Sequence, residues 1–225
     1  MPPCLVRSPA ALLLLAAVAS GGGCLGAEAA DPVQDPDEHR RVWTGAVTYP
    51  DFLESADARR ELWATNTEGA RVPEDLRRRA AALPGSWRIL VVAEDWCGDS
   101  AHTLPYVAEL AGALPSVELR VVGSREGRGV MAAHPTLDGR IATPTYVLLD
   151  DDFEDRGCLS ERPPGLQEEF LAREDTLPED DLYDWKYAWY EADAGRSTME
   201  EIVRVMEAAA AGERRCVAGQ VESAG

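Results

Sequence analysis

The chain is 225 residues long and 45% apolar, enough for one ordinary domain with a full core. Its 22 basic and 40 acidic residues give a formal charge of −18, which argues against nucleic acid or anionic lipid as a partner. The acidity reads as a solubility feature or as adaptation to a saline habitat.

Residues 1–27 read as an export signal peptide, with Arg7 as the positive start and an apolar stretch over 10–19 too short to span a bilayer. Small residues follow from Ser20 to Gly23. Cys24 after them resembles a lipoprotein signal, although Gly21 stands where leucine is usual. Ordinary cleavage near Ala27-Glu28-Ala29 is the competing reading. The expected location is exported, periplasmic or cell-surface, with a lipid tether only if Cys24 is lipidated. A mis-assigned start codon would make the chain cytoplasmic. Residues 28–45 are polar, carry Pro32 and Pro36, and read as a linker. The folded domain is expected over 46–212, with 213–225 a disordered tail.

Within the domain, Phe52, Leu53, Ala56 and Trp63 predict one helix over 50–66. Pro73 fits the first position of a second helix striped by Leu76, Ala80 and Leu83 and ended by Pro84-Gly85. The apolar run 87–93 suits a strand covered on both faces. A helix over 98–114 follows, with Pro105 inside it. Residues 117–122 predict a strand, and 125–134 a weak helix or loop. A strand over 141–149 is opened by Pro144, and the acidic turn Asp150-Asp151-Asp152 leads into a returning strand through Leu159. Helices over 178–192 and 198–211 close the chain, with Ser197 and Glu200 as a capping box for the second. The order predicts an α/β domain with a parallel strand pair and an antiparallel hairpin.

The five cysteines are Cys4, Cys24, Cys97, Cys158 and Cys216. No C-x-x-C pair occurs, so neither a zinc knuckle nor a disulfide-dense mini-scaffold fits. Cys97 lies at a strand-to-helix junction, where helix amides stabilise a thiolate, and is the candidate for chemistry. A Cys97–Asp99–His102 metal set would crowd three ligands into one turn. Cys158 reads as a buried cysteine of a half-apolar strand or as a displaced resolving thiol, and Cys216 as incidental. The Trp185, Tyr187, Trp189 and Tyr190 cluster reads as the apolar face of a core helix.

Trp96-Cys97-Gly98-Asp99-Ser100 at the end of a central strand, Pro105 five residues later, and Thr143-Pro144-Thr145 opening the hairpin together resemble the thioredoxin superfamily. Gly195 to Glu201 and the aromatic C-terminal helix are similar to a bacterial thioredoxin-like group with Trp-Cys-Gly-Asp motifs. The resemblance implies a thioredoxin-like fold, a central mixed sheet flanked by helices, with extra N-terminal and C-terminal helices. It also implies a cis Pro144. Two positions depart from the family pattern. Ser100 replaces the resolving cysteine, and Val91 replaces a buried acid. Together they imply monothiol chemistry in an exported thiol–disulfide oxidoreductase. Cys97 would be the nucleophile and Ser100 its support, with Trp96, Thr143 and Pro144 binding substrate. Partners would be protein or small-molecule thiols and disulfides, met by a monomer that needs no cofactor or metal. The alternative is a redox-inactive thioredoxin-like binding module that grips extended peptides or a protein partner at the Trp96/Pro144 face. A metal or iron–sulfur carrier using Cys97 is a third reading.

Overall fold

A computed structural model describes residues 35–217, so the leader read over 1–27, with Cys4 and Cys24, lies outside the described residues. The organising strand is β1 (Trp87–Val92), whose residues from Ile89 to Val92 are all buried. It pairs in parallel with β2 (Val117–Val122) and antiparallel with β3 (Thr145–Leu149). Then β3 pairs antiparallel with β4 (Asp155–Ser160), and β4 pairs in parallel with β5 (Arg215–Val217). The sheet order is β2-β1-β3-β4-β5. This is the expected mixed sheet flanked by helices, with extra helices at both ends.

Side chains alternate along a strand, and β1 shows it. Ile89 and Val91 join a core with Leu104, Leu110, Tyr146, Leu159 and Met206. Leu90 and Val92 join a second core with Val42, Trp43, Val130, Val147 and Leu149. The first face is covered by α3 (Arg60–Gly69), α4 (Glu74–Ala81), α5 (Gly98–Gly112) and α9 (Arg196–Ala210). The second is covered by α1 (Pro36–Gly45) and α6 (Arg128–Ala133). Burial on both faces explains why β1 reads as an unbroken apolar run. Pro105 sits inside α5 as expected, and the weak pattern over 125–134 resolves into α6.

Several expectations need correction. The stretch read as a linker contains α1. Its Asp35 carboxylate accepts from the Asp37 amide at 2.8 Å, and Pro36 opens the helix, where a missing N–H costs nothing. Proline there marks a helix start, and Val42 with Trp43 pays for the ordering by covering the sheet. The single helix expected over 50–66 is two, α2 (Tyr49–Ser55) and α3. Asp95 breaks it: one carboxylate oxygen accepts from the Asp57 and Ala58 amides at 2.7 and 2.8 Å. Helix α7 (Pro164–Glu174) was not legible, and α8 (Glu179–Asp193) follows it. The Ser197/Glu200 capping box does not form. Gly195 is the N-cap, and Ser197 bonds back to Asp193 instead. The stretch read as a disordered tail holds β5. Gly157 of β4 lies opposite Arg215, and a Cβ at Gly157 would run into the Arg215 carbonyl.

Candidate functional site

Two thiol centres stand in the structure. The first is at the C-terminal end of β1. Cys97 is the N-cap of α5, and its amide donates to Glu94 O at 3.1 Å. The loop before it and the first turn of α5 are held from α3: Trp63 Nε1 donates to Asp95 O at 2.8 Å and Asn66 Nδ2 to Ala101 O at 2.8 Å. The Cys97 Sγ accepts from the Ser100 amide at 3.4 Å and donates to Thr143 O at 3.2 Å. The Thr143–Pro144 peptide is cis. Ser100 thus meets the sulfur through its backbone. Its hydroxyl is enclosed and has no hydrogen-bond partner among the described residues. Trp96 is 59% exposed beside a thiol that is 8% exposed. The structure therefore brings Cys97, Ser100, Thr143 and Pro144 together, with Trp96 standing out from them.

The other motif residues turn towards α8. A Cβ on Gly98 would lie 2.5 Å from Tyr187 Oη, so glycine admits α8 at this distance. The His102 ring stacks on Tyr187 and Tyr190 at 5.1 and 5.0 Å between centroids, with Nδ1 bonded to Gly98 O at 2.8 Å. The buried Asp99 carboxylate accepts from Lys186 Nζ at 3.0 Å and Tyr190 Oη at 2.8 Å. Arg162 adds contacts at 3.4 and 3.5 Å. Burial works to raise the Asp99 carboxyl, but the Arg162 and Lys186 charges and the bonds from Lys186 and Tyr190 outweigh it and hold it below its ordinary value. Burial also lowers His102. Sequence reasoning missed Arg162, Lys186 and Tyr190. One signal was available: Lys186 is the only lysine in the chain, and it sits inside an aromatic helix.

The second centre corrects the expected chemistry. Cys158 on β4 and Cys216 on β5 are directly paired, with Cα atoms 4.2 Å apart, and form a disulfide. Cys216 is therefore not incidental, and Cys158 is not a lone strand cysteine. The reading of the chain as a monothiol protein working through Cys97 alone is overturned by this dithiol pair. Cys97 is the one free cysteine among the described residues. Sequence reasoning offered Cys158 only as a resolving thiol for Cys97 and did not pair it with Cys216, because 58 residues separate the two.

His134, at the end of α6, stands over the disulfide. A ring nitrogen and both sulfurs lie within 4.8 Å of one another. Its Nδ1 bonds Val130 O at 2.7 Å and its Nε2 bonds Asp155 Oδ2 at 3.0 Å. Asp155 also takes Arg214 Nη2 at 2.6 Å and the Gly157 amide at 2.9 Å. Burial tends to raise the Asp155 carboxyl, but the His134 hydrogen bond and the His134 and Arg214 charges bring it down to about 2. Cys158 is 1% exposed and Cys216 half-buried. Cys216 lines an open cleft with Arg204, Glu207, Arg214 and Arg215.

Comparison with known proteins bears on the whole fold. A family model described as thioredoxin matches residues 46–177. No curated protein matches the chain. A solved protein of unknown function from Pseudomonas aeruginosa is 20% identical, with a TM-score of 0.59 over 76% of this chain and 97% of that one. An HIV epitope-scaffold structure is 19% identical, with a TM-score of 0.57 over 75% of this chain and 96% of that one. At these identities the two structures are alike in fold.

Proposed function

The chain belongs to the thioredoxin family, and from that premise we propose that it exchanges thiols and disulfides through the Cys158–Cys216 pair. The observation that carries the reading is the disulfide itself, set between paired strands with one sulfur enclosed and the other beside an open cleft. A substrate thiolate attacks Cys216 Sγ, the less enclosed sulfur. The Cys158–Cys216 bond breaks, a substrate–Cys216 bond forms, and the electron pair leaves on Cys158. His134 is the ionisable group beside both sulfurs and is placed to give the departing Cys158 its proton. A second substrate thiolate then attacks the substrate sulfur of the mixed disulfide and releases Cys216. The substrate dithiol ends as a disulfide, the protein disulfide ends as two thiols, and two electrons have moved. The reverse sequence reduces a substrate disulfide.

Oxidised protein mixed with a dithiol peptide tests this. The peptide disulfide forms stoichiometrically with wild-type protein, and mass-tagging shows Cys158 and Cys216 becoming free together. Cys158→Ser and Cys216→Ser each abolish peptide oxidation. Persistence of oxidation in both variants, or its loss only in Cys97→Ser, would sink the proposal.

A further inference from the structure

We infer that Cys158, Cys216 and His134 form a metal site that exists only when the disulfide is open, selective for a borderline-soft divalent cation such as Zn2+. The three side chains come from β4, β5 and the end of α6, and one ligand atom from each already falls within a 4.8 Å sphere of mutual distance. A tetrahedral zinc site has Zn–S bonds of about 2.3 Å and Zn–N bonds of about 2.0 Å, which puts its ligand atoms roughly 3.5–4 Å apart. The two sulfurs reach that spacing by rotating apart from their bond, and the ring nitrogen, within 4.8 Å of both, stands at most about 1 Å beyond it. Strand pairing holds the two cysteine backbones in place whether or not the sulfurs are joined.

The surroundings of His134 fit a ligand. Its Nδ1 bonds the Val130 carbonyl at 2.7 Å, and a carbonyl can only accept, so Nδ1 carries a proton. A backbone carbonyl in that role is the usual partner that orients a metal-bound imidazole through its other nitrogen. Nε2, whose bond to the Asp155 carboxylate means that it carries a proton too, becomes the ligating atom once it gives up that proton and leaves Asp155. Asp155 stays satisfied when that happens, because Arg214 and the Gly157 amide keep it bonded. Charge balance also favours the site. Two thiolates and one divalent cation sum to zero, and a neutral cluster is tolerated where Cys158 and His134 are 1% and 0% exposed. The half-buried Cys216 side supplies the entry path, and the fourth coordination position is left to water or a further ligand.

The chemistry balances. An external dithiol becomes a disulfide, the protein pair becomes two thiols, and cation binding displaces both thiol protons and the His134 Nε2 proton to solvent. Reoxidation by an external disulfide, which takes up the two electrons and ends as a dithiol, removes both sulfur ligands at once and ejects the cation. The inference needs the pair to open under a reductant, not to turn over as a catalyst. Failure of the peptide-oxidation assay with success below would therefore overturn the exchange reading and leave the metal site standing.

The test uses the full chain with Cys4, Cys24 and Cys97 replaced by serine, so that Cys158 and Cys216 are the remaining thiols. The protein is reduced with a phosphine, freed of metal, and titrated with Co2+. One equivalent is expected to give the sulfur-to-cobalt charge-transfer band and the visible bands of tetrahedral Co2+. Zn2+ should displace it. Oxidised protein should give neither, and a further Cys158→Ser or Cys216→Ser should remove the charge-transfer band or weaken binding at least tenfold. His134→Gln should weaken binding about tenfold. Because His134 is buried and that variant can fail to fold, the imidazole nitrogen resonances of His134 are followed in the parent protein and should shift on Zn2+ binding. Equal Co2+ binding by reduced and oxidised protein, a band that survives loss of either cysteine, or unmoved His134 resonances would overturn the inference.

Discussion

Replacing Asp99 by Asn isolates the charge that fastens α8 to the motif helix. The substitution keeps the side-chain shape and removes its negative charge. Lys186 is 1% exposed, and Asp99 at 3.0 Å is its one carboxylate partner among the described residues. Arg162 keeps Glu161 and Gln167, each at 2.9 Å. The loss therefore falls mainly on Lys186. Breaking a buried pair by removing one partner costs about 3–5 kcal/mol, because the surviving charge stays in a medium that solvates it poorly. The Tyr183 and Tyr187 rings, 4.5 and 4.8 Å from the ammonium, are unchanged by the substitution. For a domain of this size, each kcal/mol moves Tm by about 2–4 °C, so Asp99→Asn should lower Tm by roughly 10 °C. Urea unfolding at pH 7 of the wild type, Asp99→Asn, Lys186→Met and the double variant measures the pair. The double variant should recover a large part of the single loss, since both charges then depart together. An Asp99→Asn loss below about 1 kcal/mol that adds simply to that of Lys186→Met would refute the reasoning.

Two further perturbations address the second thiol centre. The Asp155 carboxyl is held at about 2 in the folded protein against an ordinary 3.8. A folded value below the unfolded one contributes stability that is fully present above about pH 4 and lost as pH falls through 2, here about 2 kcal/mol. The stability gap between wild type and Asp155→Asn should therefore close between pH 4 and 2, and a gap constant over that window contradicts the assignment. The Cys158–Cys216 bond closes a loop of 58 residues. Loop-closure entropy gives about 4 kcal/mol for that length, so reduced protein should unfold at a clearly lower urea concentration than oxidised protein, and coincident unfolding curves would show that the cross-link contributes nothing.

The fold was legible where local pattern and core position coincide. The run Ile89 to Val92 is apolar at every position because both sheet faces are covered, and it marks the central strand in the sequence. Cys97 at its end and cis Pro144 opposite were found for the same reason: the motif, the strand and the hairpin are each contiguous. Helix α1 was missed because its proline and charges resemble a linker, and its packing rests on three residues, His39, Val42 and Trp43. The break between α2 and α3 was missed because its cause, Asp95, lies 37 residues beyond Ala58. The Asp99 network was missed because its partners Arg162 and Lys186 come from outside the motif, one in a segment given no element and the other in an amphipathic helix.

By itself the sequence determined the strand–helix alternation, the placement of Cys97 at a helix start and the family resemblance, since periodicity, capping and proline geometry act over a few residues. The tertiary structure alone decided which sulfurs are partners. After α7, α8 and α9 the chain returns to lay β5 beside β4, and that return sets Cys216 on Cys158 under His134. No local pattern encodes a pairing across 58 residues, because it depends on the path the packed helices impose on the chain between them. A chain whose one strong motif suggested a thiol working alone proves to hold its disulfide elsewhere, at the far edge of the sheet.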